Sequence, residues 1–572
     1  MKDQQLLLFT VDNEAAPHQA SSRRWIALAA VVVGVTIGIG LCANFVGVKH
    51  EFASLTRNQP YEHDDEEDLS ELVELELQLS DEFPSVERML QDGTNNATTS
   101  SNATVFVPII AGLSASTIAN IQVPNSAQFL AYEWLLADPN VDTYNLQSLQ
   151  SRFAMSTLYF ATGGDDWAIN DKWLSYTDPL CLWYSSLDEE AIPFIFPNID
   201  TPCEDRNTDY LQHLVLTKQN MRGTLPEEIG LLTQLTSIFL SENDLTNRIP
   251  TTIWENMTDV IHLSLGKNNL GGEIPTELFS LTNLQRLDLS HNYLAGRIPT
   301  EIGKAQKLIA LVVEENTLAN PIPSELGLLT TLEYFDYGRN ARRRRTTLFT
   351  EIGLLTNLEY FSLEYSFILQ GELPDEFFNL TSLVNLDLKG AGRLNSTLPT
   401  LIGQLTNLET LELTQATLWG PLPTELALLT KLVDFNAELN QLTNTIPVEV
   451  AGSLSNLKSF LLCNNQLTGS IPEELGGMSL LDDLHLCVNE LTGPIPASLG
   501  QLTLLTHLDL KGNFLSGQVP DELGQLTAPE LKLEIQENSL TGVVPSGVCA
   551  TGAFVAADCS AEVSCECCVQ CF

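Results

Sequence analysis

Basic residues are scarce in this chain. Its 572 residues include 28 Lys and Arg against 73 Asp and Glu, a formal charge of −45. Binding to a phosphate backbone requires a basic surface that displaces counterions, so a nucleic-acid partner is excluded. Catalytic signatures are missing too. The sequence has no nucleophile elbow, phosphate loop, zinc-protease helix or kinase signature set. The nearest approach to a phosphate loop, Gly296 to Lys304, has the wrong spacing and the wrong following residue. The eight histidines are scattered. His213, His262, His291, His485 and His507 fall on exposed strand positions, and no two have metal-ligand spacing with a carboxylate. The expectation is a protein that is not an enzyme and holds no cofactor or metal.

What the chain has in abundance is repetition. From Leu211 to Val544 one pattern recurs fourteen times, most clearly as Leu284-x-x-Leu287-x-Leu289-x-x-Asn292-x-Leu294-x-Gly296-x-Ile298-Pro299. Copies begin at Leu211, Leu235, Val260, Leu284, Leu308, Leu332, Leu358, Leu383, Leu408, Leu432, Leu457, Leu481, Leu505 and, in degenerate form, Glu530. We number these rungs 1 to 14. A fixed period of this size specifies an α/β solenoid of stacked turns, a leucine-rich-repeat horseshoe. Leu287-Asp288-Leu289 alternates as a strand with one face inward, and Leu294 and Ile298 point into the same core, about five apolar side chains per turn. Asn292 leaves the strand where its amide can bond backbone of its own turn and the next. Gly296 permits a turn that other residues resist, and Pro299 fixes φ. Thr300-Glu301-Ile302-Gly303 suits a helical turn ended by glycine.

The block Gly-x-Ile-Pro-x-x-Leu/Ile-Gly-x-Leu, as at Pro275 to Leu281, Pro472 to Leu475 and Pro496 to Leu502, resembles the plant-type leucine-rich-repeat receptor-like proteins, here without a kinase domain. The resemblance covers about 60% of the chain. It implies a protein, peptide or glycan ligand on the concave face and signalling through a transmembrane co-receptor. That family usually carries its span after the repeats, whereas here an apolar run precedes them.

Trp25 to Val48 is 24 residues without a charge, enough for one transmembrane signal-anchor helix; a cleaved signal peptide is the competing reading. Sequons at Asn96, Asn102, Asn256, Asn379 and Asn395, and ten of eleven cysteines, lie after it. Residues 1–24 are therefore expected in the cytoplasm and the repeats outside, at the plasma membrane. Residues 49–124 read as an acidic, glycosylated, disordered stalk; cation or basic-partner binding is the sharper alternative for Glu62 to Asp92. Residues 125–210 read as a helical cap, with helices over Ser126 to Ala137 and Asn145 to Ala161. Its Trp167, Trp173 and Trp183 resemble the family's amino-terminal cap, which implies that Cys203 pairs with Cys181 across an inserted loop, Ser185 to Thr201.

Residues 211–548 form the solenoid and 549–572 a cysteine-rich cap. In that cap Cys549, Cys559, Cys565, Cys567, Cys568 and Cys571 read as disulfides, with zinc thiolates as the alternative. Cys463 and Cys487 take the same strand position in consecutive rungs, about 5 Å apart, which predicts a cross-rung bridge.

Rungs six to eight depart from the rule. The ladder position becomes Ser366 and then Ala391, and Arg342 to Arg345 interrupt the core pattern. Nearby exposed positions supply Tyr334, Asp336, Tyr360, Glu364, Tyr365, Asp387 and Lys389, a combination suited to protein or peptide interfaces. An eroded repeat without a role is the plainer reading. Two functions follow: a membrane-anchored receptor-like protein signalling through a partner, or a structural, adhesive surface glycoprotein.

Overall fold

The computed structural model describes residues 113–183, 209–319, 321–340, 347–366, 369–550, 552–559, 563–565 and 568–571. The apolar run 25–48, Asn96, Asn102, Cys203, Arg342 to Arg345 and Cys567 lie outside the described residues. No described helix is long and apolar enough to cross a membrane.

Every rung contributes one short strand to a single parallel sheet. The strands begin at His213, Ser237 and His262 and continue through to Lys532, with neighbouring rungs in residue-for-residue register. Two further strands, Phe554–Ala557 and Gln570–Cys571, extend the sheet to sixteen. Strands this short bury their middle residue only because the next rung covers it. In rung 4 Leu284, Leu287, Leu289, Leu294 and Ile298 are buried as the pattern requires, and Ile302 and Ala305 join them. Each such leucine contributes about 1.5–3 kcal/mol.

Asn292 is a cross-link between rungs. Its Nδ2 donates to the Leu289 and Ser290 carbonyls of its own turn and to Leu265 one rung earlier. Its Oδ1 accepts from the Leu270 amide at 2.9 Å. The partner turn is thus the preceding one, not the next. The chain direction sets this, because the strand exit of rung n lies against the carbonyl row of rung n−1. Three consecutive rungs lack the device. Ser366 reaches only the Leu363 carbonyl, and Ala391 and Ala416 bring no polar group, so the gap covers rungs 7 to 9. Among the described residues the second sheet, on the far side of each turn, comes in three pieces: four strands in rungs 1 to 4, two in rungs 7 and 8, and seven from rung 9 onward. A cavity of about 90 Å³ lies among Phe378, Leu388, Leu394, Leu413 and Leu418.

Gly296 takes φ +77°, as its turn demands. The tail turn differs from expectation. Thr300–Lys304 is a 3₁₀ turn with Gly303 inside it, opened by Pro299 and closed at Ala305. Glycine does not end the helix. It lets the next rung approach, since a Cβ on the equivalent Gly353 would sit 2.2 Å from the Glu376 carbonyl oxygen.

Among the described residues three α-helices precede the first rung: α1 (Ala115–Ile121), α2 (Ala127–Leu136) and α3 (Leu146–Ala161). Ser126 and Asn145 accept backbone N–H groups as N-caps of the latter two. Helix α1 lies within the stretch expected as stalk. Its Thr117 hydroxyl donates to Glu228 at 2.6 Å, which anchors it to rung 1. On α3 the buried Arg152 forms a two-pronged pair with Asp209 at 3.2 Å. Trp167, Trp173 and Trp183 are buried with Tyr159, and Trp167 and Trp173 meet edge to face at 4.6 Å. These tryptophans are packing residues.

Cys463 and Cys487 are joined, with Cα atoms 4.5 Å apart. Cys565 and Cys568 are joined as well, and Cys181, Cys549 and Cys559 are disulfide-bonded.

Candidate functional site

The long sheet has one face turned away from the core, and the first and third residue of each strand point there. Parallel register turns sequence spacing into rows: Ala310, Tyr334, Tyr360 and Asn385 stand side by side, and so do Val312, Asp336, Ser362 and Asp387. Tyr334 and Tyr360 stack with centroids 4.1 Å apart and planes 5° from parallel. Both are half-buried. The Tyr360 hydroxyl lies 3.4 Å from Asp336 Oδ2, and the Gly338 amide donates to Asp336 Oδ1 at 2.8 Å.

This patch concentrates negative charge in a poorly solvated place. Burial, then repulsion from Glu314, pushes the Asp336 carboxyl up to about 7. Burial raises Asp387 to about 6 against the Lys389 amide, which donates to it at 2.9 Å. Glu314 is raised for the same first reason. The Tyr360 phenol is pushed up to about 12, by burial first and Asp336 second. A cationic ligand group would relieve this crowding.

Of the residues expected from sequence, Tyr334, Asp336, Tyr360 and Asp387 share the patch. Glu364, Tyr365 and Lys389 border it, with Lys389 Nζ 5.8 Å from the Tyr365 ring centre. Sequence reasoning missed the border row itself. In each rung the residue before the ladder position has a left-handed φ, and rungs 4 to 6 place His291, Glu315 and Arg339 there. Arg339 bridges Glu315 at 2.5 Å and Glu364 at 3.1 Å, and His291 meets Glu315 at 2.5 Å. The alternation of sign at every twenty-fourth residue was the available signal. These pairs are partly exposed and contribute little stability each.

A second group corrects the histidine reading. His485 and His507 are not isolated surface residues, because adjacent register brings their rings to 2.8 Å among carboxylates.

Family models agree with the geometry. Residues 233–294 match a leucine rich repeat model, and residues 456–478 and 504–526 match a second one. Among solved structures, the plant peptide hormone receptor RGFR1 in complex with RGF2 is 33% identical, with TM-score 0.50, over 57% of this chain and 56% of that one. The chain carries leucine-rich repeats and is similar in fold to plant receptor ectodomains. The Arabidopsis receptor kinase HAESA, in complex with the peptide hormone IDA and the co-receptor SERK1, is 25% identical with TM-score 0.57. The match covers 72% of this leucine-rich-repeat chain and 70% of HAESA. A TDR receptor is 25% identical with TM-score 0.52, over 62% and 69%. The chain thus spans just over half the length of the RGFR1 structure. No curated protein matches it.

Proposed function

We propose that the chain is a membrane-anchored, receptor-like protein that takes a peptide or an extended protein segment on the open face of its long sheet. The observation that carries this reading is the Tyr334–Tyr360 stack set among Asp336, Glu314 and Asp387. Two rings locked together present a rigid apolar step at little entropic cost to the ligand complex. The carboxylates beside it favour a ligand with a basic side chain near an aromatic or aliphatic one. Peptide hormones bound by RGFR1 and HAESA support the ligand class.

The anchor is the 25–48 segment, with the repeats outside the cell. Disulfides such as Cys463–Cys487 suit an oxidising compartment, and Asn256, Asn379 and Asn395 are exposed as glycan acceptors must be. On this reading the signal passes through a partner that spans the membrane, and the chain itself performs no catalysis.

The test is selection of displayed random peptides on the full-length chain in detergent. Selected peptides should be enriched in Lys or Arg beside an aromatic residue. The double variant Tyr334→Ala/Tyr360→Ala should lose at least about tenfold in affinity, roughly 1.4 kcal/mol, without a change in fold. Undiminished affinity in a folded double variant would remove this site. Retention of matrix polysaccharides alone would favour an adhesive role.

A further inference from the structure

Rungs 10 to 14 bring together polar side chains that lie far apart in sequence and away from the tyrosine stack. Strand Asp483–His485 runs parallel to His507–Asp509, with Asp483 beside His507 and His485 beside Asp509. The next strand places Glu534 beside Asp509. Outward-facing positions recur every second residue, so the two histidines meet on a diagonal.

His485 Nε2 and His507 Nδ1 are 2.8 Å apart. The remaining nitrogen of each ring faces a carboxylate. His507 Nε2 is 3.1 Å from Glu534 Oε2, and His485 Nδ1 is 3.6 Å from Glu438 Oε1. Glu534 accepts, so it selects the His507 tautomer with the proton on Nε2; Glu438 stands beyond hydrogen-bond reach of His485 and leaves its tautomer free. The His507 Nδ1 lone pair then points at His485 Nε2, which meets it either with its own proton or across a bound cation. A shared proton would satisfy the pair alone. A metal ion would also use Asp483, whose carboxylate oxygen lies within 4.8 Å of a ring nitrogen of each histidine.

We propose that His485, His507 and Asp483 bind one divalent transition ion of the zinc or copper class, with Glu534 orienting the His507 imidazole from behind. Two imidazole nitrogens and a carboxylate oxygen form a donor set these ions favour, at metal–ligand distances of about 2.0–2.2 Å. Tetrahedral ligands then stand roughly 3.3 Å apart. The nitrogens must separate by about half an ångström and Asp483 Oδ1, now 4.0 Å from His485 Nε2, must close by a similar amount. Side-chain rotation supplies both movements. The histidines are 20% and 19% exposed, so the ion enters from the open face and keeps a position for water. Calcium and magnesium, which take all-oxygen ligand sets, fit poorly. Cys463 Sγ also lies within 4.8 Å of the His485 and Glu438 ligand atoms, but its bond to Cys487 removes it as a thiolate.

The test is calorimetric titration of the full-length chain, disulfides intact, with zinc, and electron paramagnetic resonance of the copper-loaded form. One equivalent is expected, with hyperfine coupling to two imidazole nitrogens and no competition from calcium or magnesium. His485→Gln and His507→Gln should each abolish that equivalent while the chain stays folded by circular dichroism. Glu534→Gln should keep it at about 10–100-fold weaker affinity. Absence of any bound ion would leave the pair sharing a proton only and overturn the proposal. An equivalent that persists in the double His485→Gln/His507→Gln variant would overturn it as well, by placing the ion elsewhere.

Discussion

A Cβ built on Gly476 would lie 2.3 Å from the carbonyl oxygen of Ser498 in the following rung, whereas one on its neighbour Gly477 would meet nothing within 4 Å. The same collision recurs at Gly500 with Glu522, at 2.2 Å. Rung spacing, not local backbone freedom, selects glycine at the first of these two positions. Gly476→Ala should therefore destabilise by about 1–3 kcal/mol through forced displacement of the next turn. Gly477→Ala should be neutral or stabilising by up to about 1 kcal/mol. Urea unfolding of the two variants side by side checks the contrast, and equal effects would refute it.

Asn292 satisfies one amide and three carbonyls in the core. Asn292→Ala leaves the Leu270 N–H without its acceptor and opens a void. A loss of about 1–3 kcal/mol is expected from the unmet donor alone. Amide exchange at Leu270 should accelerate together with the fall in stability.

Asp336 makes stability depend on pH. Its carboxyl is raised from 3.8 to about 7 in the folded chain, so the folded state holds the proton more tightly than the unfolded one. The stabilising contribution is complete below about pH 4 and is lost as pH rises through about 7. Asp387, raised to about 6, acts in the same direction over a narrower window. Thermal melts from pH 5 to 8 should show wild type losing ground relative to Asp336→Asn. Parallel curves would count against the assignment.

The Cys463–Cys487 bond closes a loop of 24 residues. Chain-entropy reasoning puts its contribution at about 3 kcal/mol. The double variant Cys463→Ser/Cys487→Ser should lose roughly that amount, and reduction of the wild type should reproduce the loss. No response to reductant would show that the thiols are free.

The solenoid was legible because the repeat is periodic at two levels, the alternation inside Leu287-Asp288-Leu289 and the 24-residue return. The cross-rung cysteine pair was legible for the same reason, since register converts equal spacing into contact. The tyrosine patch came through its rows. What escaped were diagonal and depth effects. His485 and His507 are 22 residues apart, off the repeat by two, and meet only because the rings lean across neighbouring strands. The raised carboxyls of Asp336 and Asp387 depend on their burial in the sheet face, which no spacing rule reports. The role of glycine in the tail turn was misjudged because its constraint comes from another rung.

In a stacked chain each turn is stabilised only by the turns on either side of it. Rungs 7 to 9, where Ser366, Ala391 and Ala416 replace the amide cross-link and the second sheet is broken, therefore form the weakest joint in the column. Six turns stand on one side and five on the other, each block with its own cooperativity. Melting of such a column begins in its middle, and a pull on its two ends parts it there while both ends remain folded.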